Sequence, residues 1–236
     1  MKGIAEKVLT MGIKENIEEI KLKIPANVKL LAVSKTKPIE ALEEAYAAGM
    51  REFGENKVQE LLEKEEKFHK DVKWHLIGHL QTNKVKYLVD KVHLIHSLDS
   101  IKLLDEIEKV YGKNEKTVNT LIQINIGREE SKSGILEENL DEFIEAIEKC
   151  NHILVKGIMV IIPKGNEESN RYYFKRTKEI FENLKTKTFK NISMDILSMG
   201  MTNDYMTAIE EGSNLVRVGT GIFGERNYNV GGEKNE

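Results

Sequence analysis

Residues 29–38 read KLLAVSKTKP, and the pattern that decides the fold begins here. The apolar run from Leu30 to Val33 is followed at once by polar residues and Pro38, which predicts a buried strand leading into a loop. Lys35 comes directly after this strand. A lysine held at such a position and partly withdrawn from water has a lowered pKa and offers a neutral amine, whereas most lysines after strands are solvated loop residues.

The alternation of a strand and a helical segment recurs eight times along the chain. The predicted strands cover residues 30–33, 51–55, 73–77, 92–96, 118–126, 153–162, 192–198 and 215–218. Such alternation predicts parallel strands joined by right-handed crossovers. We therefore expect an α/β fold, a (β/α)8 TIM barrel with an extra N-terminal helix from residue 3 to about residue 21. An open doubly wound sheet is the main alternative, but no Gly-rich dinucleotide motif follows the first strand.

Composition places the chain among soluble globular proteins. Of its 236 residues, 40% are hydrophobic and 32% charged, and the net charge of -3 argues against a general nucleic-acid binder. No shift in composition marks a domain boundary, so residues 1–228 are predicted to form one barrel and residues 229–236 a polar tail. The single cysteine, Cys150, excludes an intramolecular disulfide. The N-terminal residues are charged and lack a long apolar segment, so a cytoplasmic protein without a membrane partner is expected.

Active sites of (β/α)8 barrels lie at the carboxyl ends of the strands and in the loops that follow. The polar residues at these predicted positions are Lys35, Glu55, Asn56, His79, Asn125, Ser198, Arg217 and Thr220. Two further lysines could each contact a ligand or support the site, or could simply be solvated. Lys132, in the polar segment 128–134, is a second cation near a ligand or a solvated side chain, and Lys37 is a solvated or supporting cation.

The loops after strands seven and eight are where barrel enzymes commonly bind phosphate. Here the first loop reads SMGMT (198–202) and the second VGTG (218–221). Gly219 and Gly221 let the backbone approach a ligand closely, and Thr220 supplies a hydroxyl. Each loop alone is compatible with an ordinary turn, but the two together predict a phosphate cup. We expect Lys35 to lie across the barrel mouth from this cup.

Arg217 lies within LVRV, a strand segment that should be buried. A buried guanidinium is costly unless it has an acceptor, which is either a salt-bridge partner or an atom of a bound ligand. A lysine amine, an arginine and a phosphate cup in one barrel mouth are the parts of a pyridoxal phosphate site.

The histidine pairs His75 and His79, and His93 and His96, have spacings that suit a metal only on one helix face. They lie in or beside predicted strands, so no metal site is expected, and His75 is predicted to pack within strand three.

Six motifs in order carry a family resemblance across nearly the whole chain. They are AVSKTKP (32–38), FGENKVQE (53–60), WHLIGHLQTNK (74–84), SKSG (131–134), LSMGMTND (197–204) and VRVGTGIFGER (216–226). They resemble the YggS/PROSC family of pyridoxal phosphate homeostasis proteins, which have the fold type III barrel of the alanine racemase N-terminal domain. Small departures are the bulky Ile161-Ile162-Pro163 segment and Gly221, where Ala is more usual.

The resemblance implies a cofactor, pyridoxal 5′-phosphate (PLP), and a set of residues that bind it. Lys35 would form the Schiff base and Arg217 would face the pyridine nitrogen. The phosphate would be held by Ser198, Gly219 and Thr220 together with the backbone of Met199 and Gly200. Asn56 and His79 would lie near the cofactor, with roles that the motifs do not define.

The resemblance further implies a monomer that carries or buffers PLP reversibly, with PLP-dependent apoenzymes as acceptors and no catalytic residue. A racemase needs two bases on opposite faces of its substrate, and only Lys35 is identified; the tyrosine of the racemases' second domain has no counterpart in this sequence. An arginine at the ring nitrogen also makes the ring a poorer electron sink. A low-activity amino-acid racemase or another fold type III enzyme is the alternative. A sugar-phosphate barrel enzyme ranks third, with Glu55 as its only carboxylate.

Overall fold

Eight parallel strands close into a barrel in the computed structural model, which describes residues 12–225. The strands are β1 (Lys29–Val33), β2 (Glu52–Glu55), β3 (Lys73–Leu76), β4 (Leu94–Leu98), β5 (Val118–Ile124), β6 (Ile153–Val160), β7 (Ile192–Ser198) and β8 (Leu215–Val218). Each strand pairs with the next, and β1 pairs with both β2 and β8. The predicted TIM barrel is therefore confirmed and the open sheet is excluded.

Helices surround the barrel, and one precedes it. They are α1 (Ile13–Lys23), α2 (Ile39–Ala47), α3 (Val58–Lys67), α4 (Ile101–Lys113), α5 (Leu140–Glu148), α6 (Glu167–Lys185), α7 (Tyr205–Glu210) and α8 (Thr220–Phe223). Two 3₁₀ helices, Thr82–Tyr87 and Glu137–Asn139, complete the set for the described residues. No helix within this part of the chain is long and apolar enough to cross a membrane.

Several predicted boundaries differ from the structure. Within the described residues, α1 begins at Ile13, after Gly12, which has extended backbone angles. Strand four runs to Leu98 rather than to His96, and Ser100 caps the next helix by accepting a hydrogen bond from the Leu103 amide. The helical segment between strands three and four is the 3₁₀ helix Thr82–Tyr87. Residues 3–11, Tyr228 and the tail 229–236 lie outside the described residues.

Side chains alternate between the barrel axis and the helices, as the two-residue period of a strand requires. The outward residues and the helices form the main core. Two small apolar clusters fill much of the interior, and their buried members are Leu31, Val33, Ile77 and Leu215 in one, and Leu94, Leu121 and Met159 in the other. The carboxyl ends of the strands thus meet over a packed floor, and polar residues at those ends face one another.

Candidate functional site at the barrel mouth

Lys35 lies half-buried in the turn that follows β1. Leu31 and Val33 point into the barrel, and Lys35 follows Val33 by two residues. Thr36 has a φ of 63°, a left-handed conformation that is uncommon for a threonine and costs of the order of 1 kcal/mol. The turn therefore needs external support to keep this shape.

The support comes from α3, which holds the residues on both sides of Lys35. Lys64 Nζ donates to the Ser34 carbonyl at 2.8 Å and to Glu55 Oε1 at 2.7 Å. Ser34 Oγ donates to the same Glu55 oxygen at 2.5 Å. The Thr36 amide donates to Glu60 Oε1 at 2.6 Å, and Lys64 also contacts that oxygen at 2.7 Å. We call Ser34, Thr36, Glu55, Glu60 and Lys64 the loop clamp.

The loop clamp corrects the expectation that Glu55 faces the mouth. Glu55 has no exposed surface and points outward between the strands and α3, because it follows the outward-facing Phe53 by two residues. Burial raises the pKa of Glu55, against the opposing charge of Lys64. Glu55 is therefore part of the scaffold and cannot serve the sugar-phosphate alternative as a mouth carboxylate.

The loop after β7 is shaped by a glycine and an aspartate. Gly200 has a φ of 94°, and a Cβ there would lie 2.6 Å from Ala208 Cβ, so only glycine fits without strain. Asp204 Oδ1 accepts from the Met201 amide at 2.6 Å. The Met199 amide donates to the Leu215 carbonyl at 3.2 Å, and this hydrogen bond continues the β7–β8 pairing. Ser198 is fully buried below this loop.

The loop after β8 lies beside β1 rather than across the mouth from it. Ala32 pairs with Val218, and a Cβ on Gly219 would lie 3.4 Å from Val33, the residue two before Lys35. The expectation that Lys35 faces these loops across the mouth is wrong, because the barrel closes by pairing its first strand with its last. Thr220, at the start of α8, is exposed.

Thr202 was not identified from the sequence, although its hydroxyl joins the two loops. The Gly221 amide donates to Thr202 Oγ1 at 3.3 Å. A Cβ at Gly221 would lie 2.9 Å from Val218 Cγ1 and 3.2 Å from Thr202 Cγ2, so the unusual glycine relieves crowding here. The signal was present in the sequence, as a second hydroxyl residue four positions after Ser198 in the same loop.

Arg217 is buried in β8, and its hydrogen bonds go to neutral acceptors. Its NH1 donates to Ser198 Oγ at 2.7 Å and its NH2 to the Val160 carbonyl at 2.8 Å. Within residues 12–225 it forms no salt bridge, so one of the two readings of this residue is excluded for that part of the chain. Burial lowers the pKa of Arg217 to about 10, which leaves the guanidinium protonated at neutral pH.

His79 and Asp99 form a pair at the mouth that the sequence did not predict. His79 Nδ1 lies 3.0 Å from Asp99 Oδ2 and 3.2 Å from Ser133 Oγ. The Asp99 side chain is 5% exposed and that of His79 is 59% exposed, so a buried carboxylate orients a solvent-accessible imidazole. Asn56 is half-buried after β2. Its carbonyl oxygen packs so closely against Gly78 that a Cβ on Gly78 would lie 2.3 Å from this oxygen.

The remaining polar candidates organise loops. Asn125 binds the backbone of Glu129 and Lys132, which shapes the 125–134 loop, and Lys132 pairs with Glu129. Lys37 Nζ donates to the carbonyls of residues 223–225 at 3.0, 3.1 and 3.0 Å, so it is a supporting cation at the end of α8. Within residues 12–225 no three His, Cys, Asp or Glu side chains gather in a way that could hold a metal ion.

Comparisons with known proteins agree on one family. The profile of the alanine racemase N-terminal domain matches residues 10–227. A pyridoxal phosphate homeostasis protein of Aquifex aeolicus is 47% identical over 202 residues, which are 85% of this chain and 88% of that protein. The pyridoxal phosphate homeostasis protein of Haemophilus influenzae is 42% identical over 238 residues, which cover 95% of this chain and 100% of that protein.

Among solved structures, PipY of Synechococcus elongatus PCC7942 with PLP bound is 32% identical. It superposes with a TM-score of 0.82 and covers 90% of this chain and 100% of PipY.

Proposed function

Since the chain belongs to the alanine racemase N-terminal domain family and, within it, to the pyridoxal phosphate homeostasis proteins, we propose that it binds PLP reversibly and acts in the homeostasis of this cofactor. The observation that carries the proposal is the position of Lys35. It lies at the mouth of a fold type III barrel, on a turn clamped on both sides and next to the glycine loop that follows β8.

The proposed chemistry is condensation of an amine with an aldehyde. The Lys35 amine attacks the aldehyde carbon of PLP, the carbonyl oxygen leaves as one molecule of water, and a carbon–nitrogen double bond forms. Addition of water reverses the step and releases PLP. A carrier needs only this exchange, and PLP-dependent apoenzymes are the proposed acceptors of the released cofactor.

We assign the other contacts as follows. Gly200, Gly219 and Thr220 hold the phosphate, with Ser198 and Met199 fixing the loop from below, and Thr202 joins the set because its hydroxyl lies between the two loops. Arg217 faces the pyridine nitrogen. Asn56 and His79 line the mouth beside the cofactor. Gly221 supports this assignment, because a Cβ there would lie 3.2 Å from Thr202 Cγ2 and would fill space that the two loops need to approach each other.

We propose a carrier without robust turnover, acting as a cytoplasmic monomer. Arg217 remains protonated and its hydrogen bonds run to neutral acceptors, so it favours an unprotonated pyridine nitrogen as a further acceptor. An unprotonated ring withdraws electrons poorly, and such a ring supports Schiff-base formation better than carbanion chemistry.

A low-activity amino-acid racemase is the second candidate, and one observation favours it. His79 is the candidate for the missing second base, because Asp99 fixes its Nδ1 proton and leaves Nε2 as the basic atom. Turnover of an amino acid that disappears in both Lys35→Ala and His79→Asn would establish this candidate. Turnover that survives either substitution would exclude it.

The proposal is tested with purified protein and PLP. We expect a visible absorbance band on mixing, and borohydride reduction should fix the label on Lys35. Lys35→Ala should lack the band, while Lys57→Ala, an exposed lysine after β2, should keep it. If Lys35→Ala bound PLP with unchanged spectrum and stoichiometry, the assignment of Lys35 would be wrong. Thr220→Ala tests the phosphate contact and should weaken PLP binding about tenfold.

A further inference from the structure

A line of polar side chains crosses the interior of the barrel. Glu52 opens β2 at the end of the barrel opposite the mouth, and Ser198 closes β7 at the mouth. Between them lie His75 and His96, which are 1% and 0% exposed. The apolar interior clusters lie around this line, so the two histidines find their partners within it. At its ends, Glu52 also pairs with Lys29 at 3.5 Å and Arg217 also donates to the Val160 carbonyl.

The separations between neighbours are short at every link but one. Arg217 NH1 lies 2.7 Å from Ser198 Oγ, which lies 3.1 Å from His96 Nδ1. His96 Nε2 lies 2.9 Å from His75 Nδ1. His75 Nε2 lies 3.3 Å from Glu52 Oε2, too bent for a well-formed hydrogen bond but within ion-pair distance.

The two ends of the line fix the protons between them. Arg217 is always a donor, so Ser198 Oγ accepts from it and keeps its own proton available for His96 Nδ1, while the Glu52 carboxylate at the other end is only an acceptor. Neutral His96 then carries its proton on Nε2 and donates to His75 Nδ1. His75 in turn carries its proton on Nε2, the ring atom that lies 3.3 Å from Glu52 Oε2. Every donor is therefore oriented from the mouth toward Glu52.

Both imidazoles are neutral, which this proton order requires. Burial lowers the pKa of His75, and burial together with the neighbouring His75 lowers that of His96 well below its usual value. The buried charge of Arg217 thus has neutral acceptors close to it, and Glu52 is the carboxylate at the other end of the line.

We propose that Glu52, His75, His96 and Ser198 are positioning residues: the two histidines and Ser198 form a hydrogen-bonded relay that holds the Arg217 guanidinium, and the carboxylate of Glu52, in contact with His75, tunes it from the opposite end of the barrel. The link to function rests on the proposed contact between Arg217 and the pyridine nitrogen of PLP. When the relay is weakened, Arg217 interacts more strongly with that nitrogen. The electronic spectrum of bound PLP therefore reports on the relay.

Nitrogen NMR of the ligand-free chain with ¹⁵N-labelled histidines tests the relay without PLP. His75 and His96, identified by their loss in His75→Asn and His96→Asn, should both be neutral with the proton on Nε2. A protonated imidazole, or a proton on Nδ1, at either residue near pH 7 would overturn the relay.

The absorbance of PLP bound to variants tests its influence on Arg217. The band should shift in Ser198→Ala and in Glu52→Gln, and stay unchanged in Ser97→Ala, which removes a fully buried hydroxyl one residue from His96 but outside the relay. Asp71→Asn is the matched control for the lost carboxylate, since Asp71 is exposed and pairs with Arg51. If Ser198→Ala fails to fold, the band of Glu52→Gln compared with that of the wild type tests the influence on Arg217 by itself.

The outcomes separate this inference from the proposed function. Identical bands in wild type and Glu52→Gln would refute the tuning of Arg217 while leaving PLP binding intact. Absence of any band in the wild type would refute the proposed function, and the histidine tautomers would then decide whether the relay exists.

Discussion

Replacing Lys64 by Met should destabilise the fold strongly, because it removes the cation from the loop clamp. The Lys64 side chain is 7% exposed and that of Glu55 is 0% exposed, so the substitution leaves a buried carboxylate without its counter-charge. Removing one partner of such a pair costs about 3–5 kcal/mol. The Ser34 carbonyl and Glu60 lose a donor at the same time.

Urea unfolding measured by fluorescence gives the comparison, because Trp74 is the single tryptophan and packs against Phe53 and Phe68. Lys67→Met is the matched control: the same charge is lost from an exposed site on α3, and about 0.5 kcal/mol or less is expected. Adding Glu55→Gln to Lys64→Met should restore much of the lost stability, since the buried charge is then gone as well.

The pH dependence of Lys64→Met gives a second check. Burial raises the pKa of Glu55 above its usual value of 4.5, and loss of Lys64 raises it further. The folded state then holds a proton that the unfolded state has released, so the variant loses stability as pH rises above 4.5 and regains it on acidification. The deficit relative to wild type should be smaller at pH 5 than at pH 8. The same free energy of unfolding for Lys64→Met and Lys67→Met at pH 8 would refute the reasoning.

Two further predictions concern single positions. Gly200→Ala should lower the free energy of unfolding by about 1–3 kcal/mol in urea titrations, since the φ of 94° is strained for alanine and the new Cβ would lie 2.6 Å from Ala208 Cβ; no loss of stability would contradict the observed loop. The contact with His75 lowers the pKa of Glu52 from 4.5 to about 2, so its stabilisation is present above pH 4.5 and lost as pH falls toward 2. The stability difference between wild type and Glu52→Gln should therefore shrink from pH 5 to pH 3; a constant difference would mean that the contact does not favour the carboxylate.

How accurately the sequence predicts an element depends on how local the signal for that element is. The bounds of β7 and β8 agree with the predicted segments 192–198 and 215–218 residue for residue. Strand four was placed two residues early, because the segment 92–96 is apolar or histidine throughout and continues into Leu98 without a period that marks its end. That shift left His96 at a predicted strand end, although it lies inside the barrel.

The sequence by itself determined the eight-fold alternation, the barrel and the place of Lys35 at the end of the first strand, because hydrophobic period and strand length are properties of neighbouring residues. Only the tertiary structure decided which face each polar side chain takes and which partner it meets. Closure of the barrel places Lys35 beside the β8 loop. The outward direction of Glu55 brings it into contact with Lys64, and His96 contacts Ser198, which lies 102 residues away in the sequence. Such contacts follow from strand register and barrel closure, which bring distant residues together in a way that no local pattern records.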